Sequence, residues 1–172
     1  MHDTHRPLAG APFPSFGFET LAHGRIEFDT LDGWNMLVVY RGRHCPVCKT
    51  YLKTLNTLLD GFSEAKIGVY AISADPKERA AAEARDEGWR FPVGYDFDVK
   101  DMRRLGVYVS EPRSPEETDR CFSEPALFVL NPERCLQVVD ISNAPFARPD
   151  LTGLLKGLKF VQAQQYPVRG TA

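Results

Sequence analysis

The order of apolar runs and helical periods predicts an α/β fold, in which a central mixed β-sheet carries helices on both faces. Three observations support it. Short apolar runs alternate with helical patterns through the first hundred or so residues, which calls for strands and helices in layers. Late in the chain, ALFVL and LQVVDI flank the turn NPER, so a hairpin adds antiparallel strands. The length of 172 residues suits one domain, residues 1–172, with 1–30 an extended arm and 165–172 an irregular tail.

Each element has its own justification. APFPSFGFETL is dense in proline and aromatics, resists assignment to helix or strand, and reads as an arm laid over the domain. Phe13, Phe16 and Phe18 are read as core in preference to an interface. WNMLVVY, Trp34 to Tyr40, is nearly continuously apolar and fits a buried strand. A helix starts near Pro46, since proline is favoured in a first turn, and is expected to stop before Gly61. Leu52, Leu55, Leu58, Leu59 and Phe62 give it one apolar face. IGVYAIS, Ile67 to Ser73, is a second strand, and Asp75 is the expected cap of a helix that Gly88 ends. Phe91 to Tyr95 reads as a third strand, and DVKDMRRLG as a short helix ending at Gly106. Residues 110–124 read as a polar loop. The last helix spans about Asp150 to Gln164. Trp34 and Trp89 read as packing residues.

Composition excludes several classes. Twenty-one basic and 23 acidic residues leave a net charge of -2, with no excess to draw the chain to nucleic acid or an anionic membrane. No apolar run approaches the ~20 residues a membrane helix needs. The start, MHDTHRPLAG, is polar and carries no apolar signal core, so a cytoplasmic protein with reduced thiols is the expectation.

The chemistry concentrates in Cys45-Pro46-Val47-Cys48, between a buried strand and the first turn of a helix. A helix N-terminus offers unpaired N–H groups and the positive end of the dipole, and both stabilise a thiolate. In such a setting a cysteine pKa falls from ~8.5 into the range ~3.5–7.5. Arg41, Arg43, His44 and Lys49 add positive charge, although each also reads as solvated surface. Two thiols at this spacing close a disulfide with little backbone movement, one attacking and the other resolving. A structural zinc site is the alternative, but it needs two further ligands, and Cys121 and Cys135 do not form a second CxxC. Cys121, four residues before Pro125, is a candidate resolving thiol or an ordinary loop thiol. Cys135 in the hairpin turn reads as incidental.

The order strand–CPVC–helix, then βαβ, then a proline before a hairpin, resembles the thioredoxin superfamily. That resemblance implies a cis-proline facing the CxxC, and Pro125 in Glu124-Pro125-Ala126-Leu127-Phe128 matches its place. Pro46-Val47 looks more like the Pro-x of glutaredoxins and disulfide oxidants than the Gly-Pro of thioredoxin. Over about residues 12 to 160 the chain resembles more closely the peroxiredoxin-like alkyl hydroperoxide reductase/thiol-specific antioxidant family. APFPSFGFETL, VVYRGRHCPVC and PALFVLNPERCLQVVDI look like its successive blocks. The family's Tyr-Pro-x-x-x-Thr-x-x-Cys is matched in spacing by Tyr40 to Cys48, which sets Cys48 at the peroxidatic cysteine and Cys45 at the threonine. Arg41 stands where the motif has proline, and Pro125 where the family has an arginine before the hairpin.

Two mechanisms follow from the resemblance, and they differ on which cysteine leads. As a peroxidase, Cys48 attacks a hydroperoxide, Cys45 resolves, and Arg41 or His44 polarises the O–O bond. As a disulfide exchanger, Cys45 attacks a protein disulfide, Cys48 resolves, and Pro125 positions the partner strand. Both draw on an external reductant, a thioredoxin-type protein or glutathione, and neither calls for a metal or bound cofactor. A redox-responsive interaction protein is the non-enzymatic alternative. The resemblance also implies a homodimer.

Overall fold

The computed structural model describes residues 6–172, so the first five residues of the polar start and of the arm lie outside the description. The central sheet has the order β5-β4-β3-β8-β9. Its middle strand, β3 (Trp34–Val39), runs parallel to β4 (Ile67–Ile72), and β4 runs parallel to β5 (Val93–Gly94). On its other side β3 pairs antiparallel with β8 (Ala126–Leu130), which pairs antiparallel with β9 (Leu136–Ile141). The sheet is therefore mixed. β3 is central because Asn35 to Val39 are all buried, as a strand covered on both faces requires.

Alternate residues of the strands serve two cores. Met36, Val38 and Tyr40 face α1 (Pro46–Glu64), α2 (Lys77–Glu87) and α4 (Leu151–Gln164), meeting Leu52, Leu55, Phe62, Ala80, Leu155 and Leu158. Leu37, Val39 and Phe128 face the arm and α3 (Val99–Arg104), meeting Phe13, Phe16, Phe18, Phe28, Met102 and Leu105. Helices thus cover both faces, with the arm doing much of the covering on one.

The arm is more ordered than its composition suggests. It forms a short hairpin, β1 (Gly17–Glu19) with β2 (Arg25–Glu27), followed by a 3-10 turn over Phe28–Thr30. Phe13 packs edge-on against Phe28 and Phe128 at 5.2 and 5.4 Å, and Phe16 against Phe97 at 5.6 Å. The loop before the hairpin is also pinned, by a two-residue pairing of β6 (Val109–Ser110) with β7 (Phe122–Ser123).

Three boundaries move for physical reasons. α1 does not stop before Gly61 but continues to Glu64. A Cβ at Gly61 would stand 2.8 Å from Leu155 Cδ2, so the glycine lets α4 approach α1 closely and does not end the helix. Asp75 does not cap α2; Pro76 holds that position, and the Asp75 carboxylate is engaged elsewhere. The third strand shortens from Phe91–Tyr95 to Val93–Gly94.

Candidate active site around Cys45 and Cys48

The loop from β3 into α1 is shaped before the cysteines are reached. Gly42 has φ +130, and a Cβ there would meet Asp75 Oδ2 at 2.8 Å. Only glycine fits both the dihedral and the space. The Arg43 N–H donates to Asp75 Oδ2 at 2.7 Å, and Arg79 Nη1 donates to Oδ1 at 3.1 Å. Asp75 is thus a buried anchor for the loop. The Cys45 N–H closes the turn on the Gly42 carbonyl at 3.1 Å.

Cys45 is the N-cap of α1, with Pro46 in the first turn. Its sulfur accepts the Cys48 N–H at 3.2 Å, in the way a Ser or Asp side chain caps a helix. The two thiols are free, with sulfurs 2.7 Å apart. Donation from the Cys48 thiol, with help from the Cys48 N–H and the Arg41 guanidinium, outweighs burial and holds Cys45 down to about 6. The same hydrogen bond, with burial and the charge on Cys45, pushes the Cys48 thiol far above its ordinary range. The shared hydrogen bond thus favours the thiolate on Cys45 and the thiol on Cys48. Cys45 is 2% exposed and Cys48 fully buried.

Arg41 is held by Glu124, with Nε 3.1 Å from Oε2 and Nη2 donating to Oε1 at 3.1 Å. Ser110 Oγ donates to the same carboxylate at 2.6 Å, and the guanidinium lies 4.8 Å over the Phe122 ring. This two-pronged pairing aims Arg41 at Cys45. On the far side of the first turn, Arg148 lies 4.0 Å over the Tyr51 ring and donates to the Val47 carbonyl at 3.3 Å. It lines a cleft of about 500 Å³ with Val47, Tyr51, Phe146 and Pro149.

The other residues singled out by sequence divide. Pro46 and Arg41 stand at the pair. Pro125 is buried one residue before the Val39–Ala126 pairing, and its carbonyl accepts the Ser142 N–H at 3.0 Å. Among the described residues no peptide bond is cis, so the expected cis-proline is corrected: Pro125 enters β8 on a trans bond. His44 packs edge-on against Phe122 at 4.6 Å, its ring nitrogens have no hydrogen-bond partner, and burial lowers its pKa. It is a packing residue and donates to neither sulfur. Cys121 is half-buried in a separate cleft with Ala74, Phe97, Val99 and Arg120. Cys135 points its thiol at the Glu133 carbonyl, 3.6 Å away. Among the described residues no group of three or more His, Cys, Asp or Glu is placed to hold a metal, so the zinc alternative has no ligand set there. Nor is any described helix long and apolar enough to cross a membrane.

Sequence reasoning missed Asp75, Glu124 and Arg148. Each is far from the CxxC in the chain and carries no local motif; only the fold brings it near.

The sequence matches the AhpC/TSA family over residues 9–139. The chain belongs to the AhpC/TSA family. It is an oxidoreductase that works through cysteine thiols, of the thiol-peroxidase type. A peroxiredoxin 6 of Arenicola marina is similar in structure, with a TM-score of 0.74 at 22% identity over 92% of this chain and 74% of its own. A peroxiredoxin-like protein from Aquifex aeolicus gives 0.76 at 18% identity, over 92% and 90%. A reduced 2-Cys peroxiredoxin of Plasmodium vivax gives 0.75 at 17%, over 95% and 91%. At these identities the likeness is one of fold. Among curated proteins no match is found. Within the AhpC/TSA fold the Cys45–Cys48 pair takes the start of α1, with Arg41 in the loop before it.

Proposed function

We propose that this AhpC/TSA protein reduces hydroperoxides with Cys45 as the attacking thiolate and Cys48 as the resolving thiol. The supporting observation is the hydrogen-bond set on the Cys45 sulfur, which makes it the ionised member of the pair. The thiolate is the nucleophile in thiol chemistry, and a buried, protonated Cys48 is not one. The reading thus reverses the order that motif spacing implies for a peroxidase.

Cys45 Sγ⁻ attacks the terminal oxygen of the hydroperoxide, the O–O bond breaks, and the alkoxide or hydroxide takes a proton to leave as alcohol or water. Cys45 is left as a sulfenic acid. Arg41, fixed by Glu124, supplies the positive charge that steadies the departing oxygen. Cys48 then forms the S–S bond with Cys45 as hydroxide departs and is protonated to water. An external thiol reductant, one thioredoxin-type dithiol or two molecules of glutathione, returns the disulfide to two thiols and is itself oxidised to a disulfide. At 2% exposure, Cys45 suits a small oxidant better than a protein disulfide.

The test is one equivalent of hydrogen peroxide on the reduced protein and on each single-serine variant, read by intact mass and peroxide loss. Cys48→Ser is expected to gain 16 Da, mapped to Cys45, while Cys45→Ser consumes peroxide no faster than a free thiol. Fast oxidation of Cys48 in Cys45→Ser would overturn the assignment. Slow peroxide loss in the parent, with rapid reduction of a protein disulfide, would establish disulfide exchange by the same two cysteines.

A further inference from the structure

Arg148 takes no part in the proposed reaction, yet it stands where a helix disfavours a cation. It lies against the first turn of α1, with Nη2 donating to the Val47 carbonyl at 3.3 Å and the guanidinium 4.0 Å over the Tyr51 ring. The positive end of the helix dipole is there, so a cation at that place is destabilising. Arg148 Nε and Nη1 are also buried, with no hydrogen-bond partner among the described residues, and unmade bonds of this kind are destabilising too. Arg41, by contrast, is paired with Glu124. Groups that break local rules in this way stand mainly where a site needs them.

The hydrogen bond it makes leads to the sulfur. The Val47 carbonyl and the Cys48 N–H belong to one peptide unit, and that N–H donates to Cys45 Sγ at 3.2 Å. The peptide bond is trans, so its carbonyl and its N–H point in opposite directions, joined by resonance. A cation donating to the carbonyl oxygen draws electron density through the amide, and hydrogen bonds linked in a chain strengthen one another. The order guanidinium, carbonyl, N–H, sulfur is such a chain. We infer that Arg148 is a positioning residue for the Cys45 thiolate, acting through the Val47–Cys48 peptide unit. This rests on the reading of Cys45 as the attacking thiolate. Arg148 itself donates to neither sulfur.

The surroundings suit the role. Arg41, held by Glu124, faces Cys45 from the β3–α1 loop, and Asp75 anchors that loop through the Arg43 N–H. On the Tyr51 side the charged groups are Arg148, Asp150 and the half-buried Asp140. The Asp150 carboxylate accepts the Gly153 N–H at 2.6 Å as the cap of α4, and Asp140 Oδ1 is buried with no partner, so neither takes up an Arg148 N–H. The two arginines thus reach one thiolate by different routes, Arg41 by its own charge and Arg148 by way of the backbone. Once Cys45 is a sulfenic acid or half of a disulfide, its sulfur carries no charge, and the polarised N–H has no anion to hold. Arg148 therefore favours the reduced, thiolate-bearing pair.

The experiment follows alkylation of the reduced protein by iodoacetamide across pH, with the site mapped by mass, alongside the amide proton resonance of Cys48. Arg148→Met keeps an aliphatic stem over Tyr51 and removes the charge. Its Cys45 alkylation should slow by roughly threefold at pH 6 and hardly change at pH 9. Its Cys48 amide proton should move upfield, as the hydrogen bond to Cys45 weakens. Arg148→Lys keeps a cation and should restore much of both readouts. Arg148→Gln, also uncharged, carries the test should Arg148→Met not fold. An alkylation profile unmoved in the uncharged variants, with only the melting temperature changed, assigns a packing role and overturns the inference. A profile that moves while the Cys48 amide proton stays in place overturns the route through the peptide. Alkylation of Cys48 in place of Cys45 in the parent overturns the reading beneath it, and it is told apart because it precedes any change at Arg148.

Discussion

On one face of the sheet, Phe13, Phe16, Phe18 and Phe28 interlock with Phe97 and Phe128. On the other, two thiols share their surroundings with the orphaned oxygens of Tyr40 and Glu83. Among the described residues, none of the unpartnered buried polar atoms lies in the arm-side aromatic cluster. One face is packed for stability, with rings meeting edge to face. The other gives up stability, since an unpaired buried polar group costs ~1–3 kcal/mol. Proteins break local rules of this kind mainly where the site needs it. In the loop, Asp75 holds the turn and Glu124 holds Arg41, although the His44 ring nitrogens are unpartnered there too. The loop contacts aim Arg41, and the unpartnered Tyr40 and Glu83 oxygens lie beneath them.

Substitutions on the two faces should act on different properties. The largest effect belongs to Cys45→Ser, which should bring peroxide consumption down to that of an ordinary free thiol while leaving the melting temperature close to the parent's. Next is Phe16→Ala on the aromatic face. It should lower stability by about 3–5 kcal/mol in denaturant unfolding and leave the pH profile of Cys45 oxidation where it was. Should that profile move, the two faces are not independent.

Glu83→Gln should act in the opposite direction. The folded protein holds the Glu83 carboxyl near 7, whereas its ordinary value is 4.5. Between those values the native state keeps a proton that the unfolded chain has released, so stability falls as pH rises through the window. The glutamine removes that loss and should stabilise the protein above neutral pH by on the order of 2 kcal/mol, with little gain at pH 4. Equal unfolding curves at pH 8 would show that Glu83 is not held protonated by the fold.

The smallest effect is that of Arg41→Ala. Arg41 is one of the groups lowering Cys45, so its loss raises the Cys45 pKa and moves the acid limb of thiolate alkylation to higher pH. Alkylation at pH 6 should slow by roughly threefold to tenfold, and at pH 9 much less. Cys48→Ala should move the limb the same way, because the Cys48 thiol is the largest contributor. Cys48→Ser, which keeps a donor, should move it less.

Much of this was legible in the chain. Strand alternation placed Met36, Val38 and Tyr40 on one face and Leu37 and Val39 on the other, because side chains alternate along a strand. Pro46 announced the start of α1, and the CPVC pair stood where a helix start lowers a thiol pKa. What misled was punctuation: Gly61 looks like a stop and Asp75 like a cap, since the local signal is the same whether the residue ends an element or serves a neighbour. The cis-proline expected at Pro125 came from resemblance, and the trans bond belongs to a residue that enters β8 directly.

The layered α/β order, the apolar stripes and the thiol pair at a helix start are each written in residues close together in the chain, so they can be read without the fold. Local donors from Cys48 do most to lower the Cys45 thiol, and tertiary structure adds burial and the Arg41 guanidinium. Glu124, 83 positions from Arg41, holds that guanidinium in place. Hydrogen bonds of a few ångströms and the loss of water around Glu83 and Tyr40 depend on what the fold brings together, and no local pattern records them.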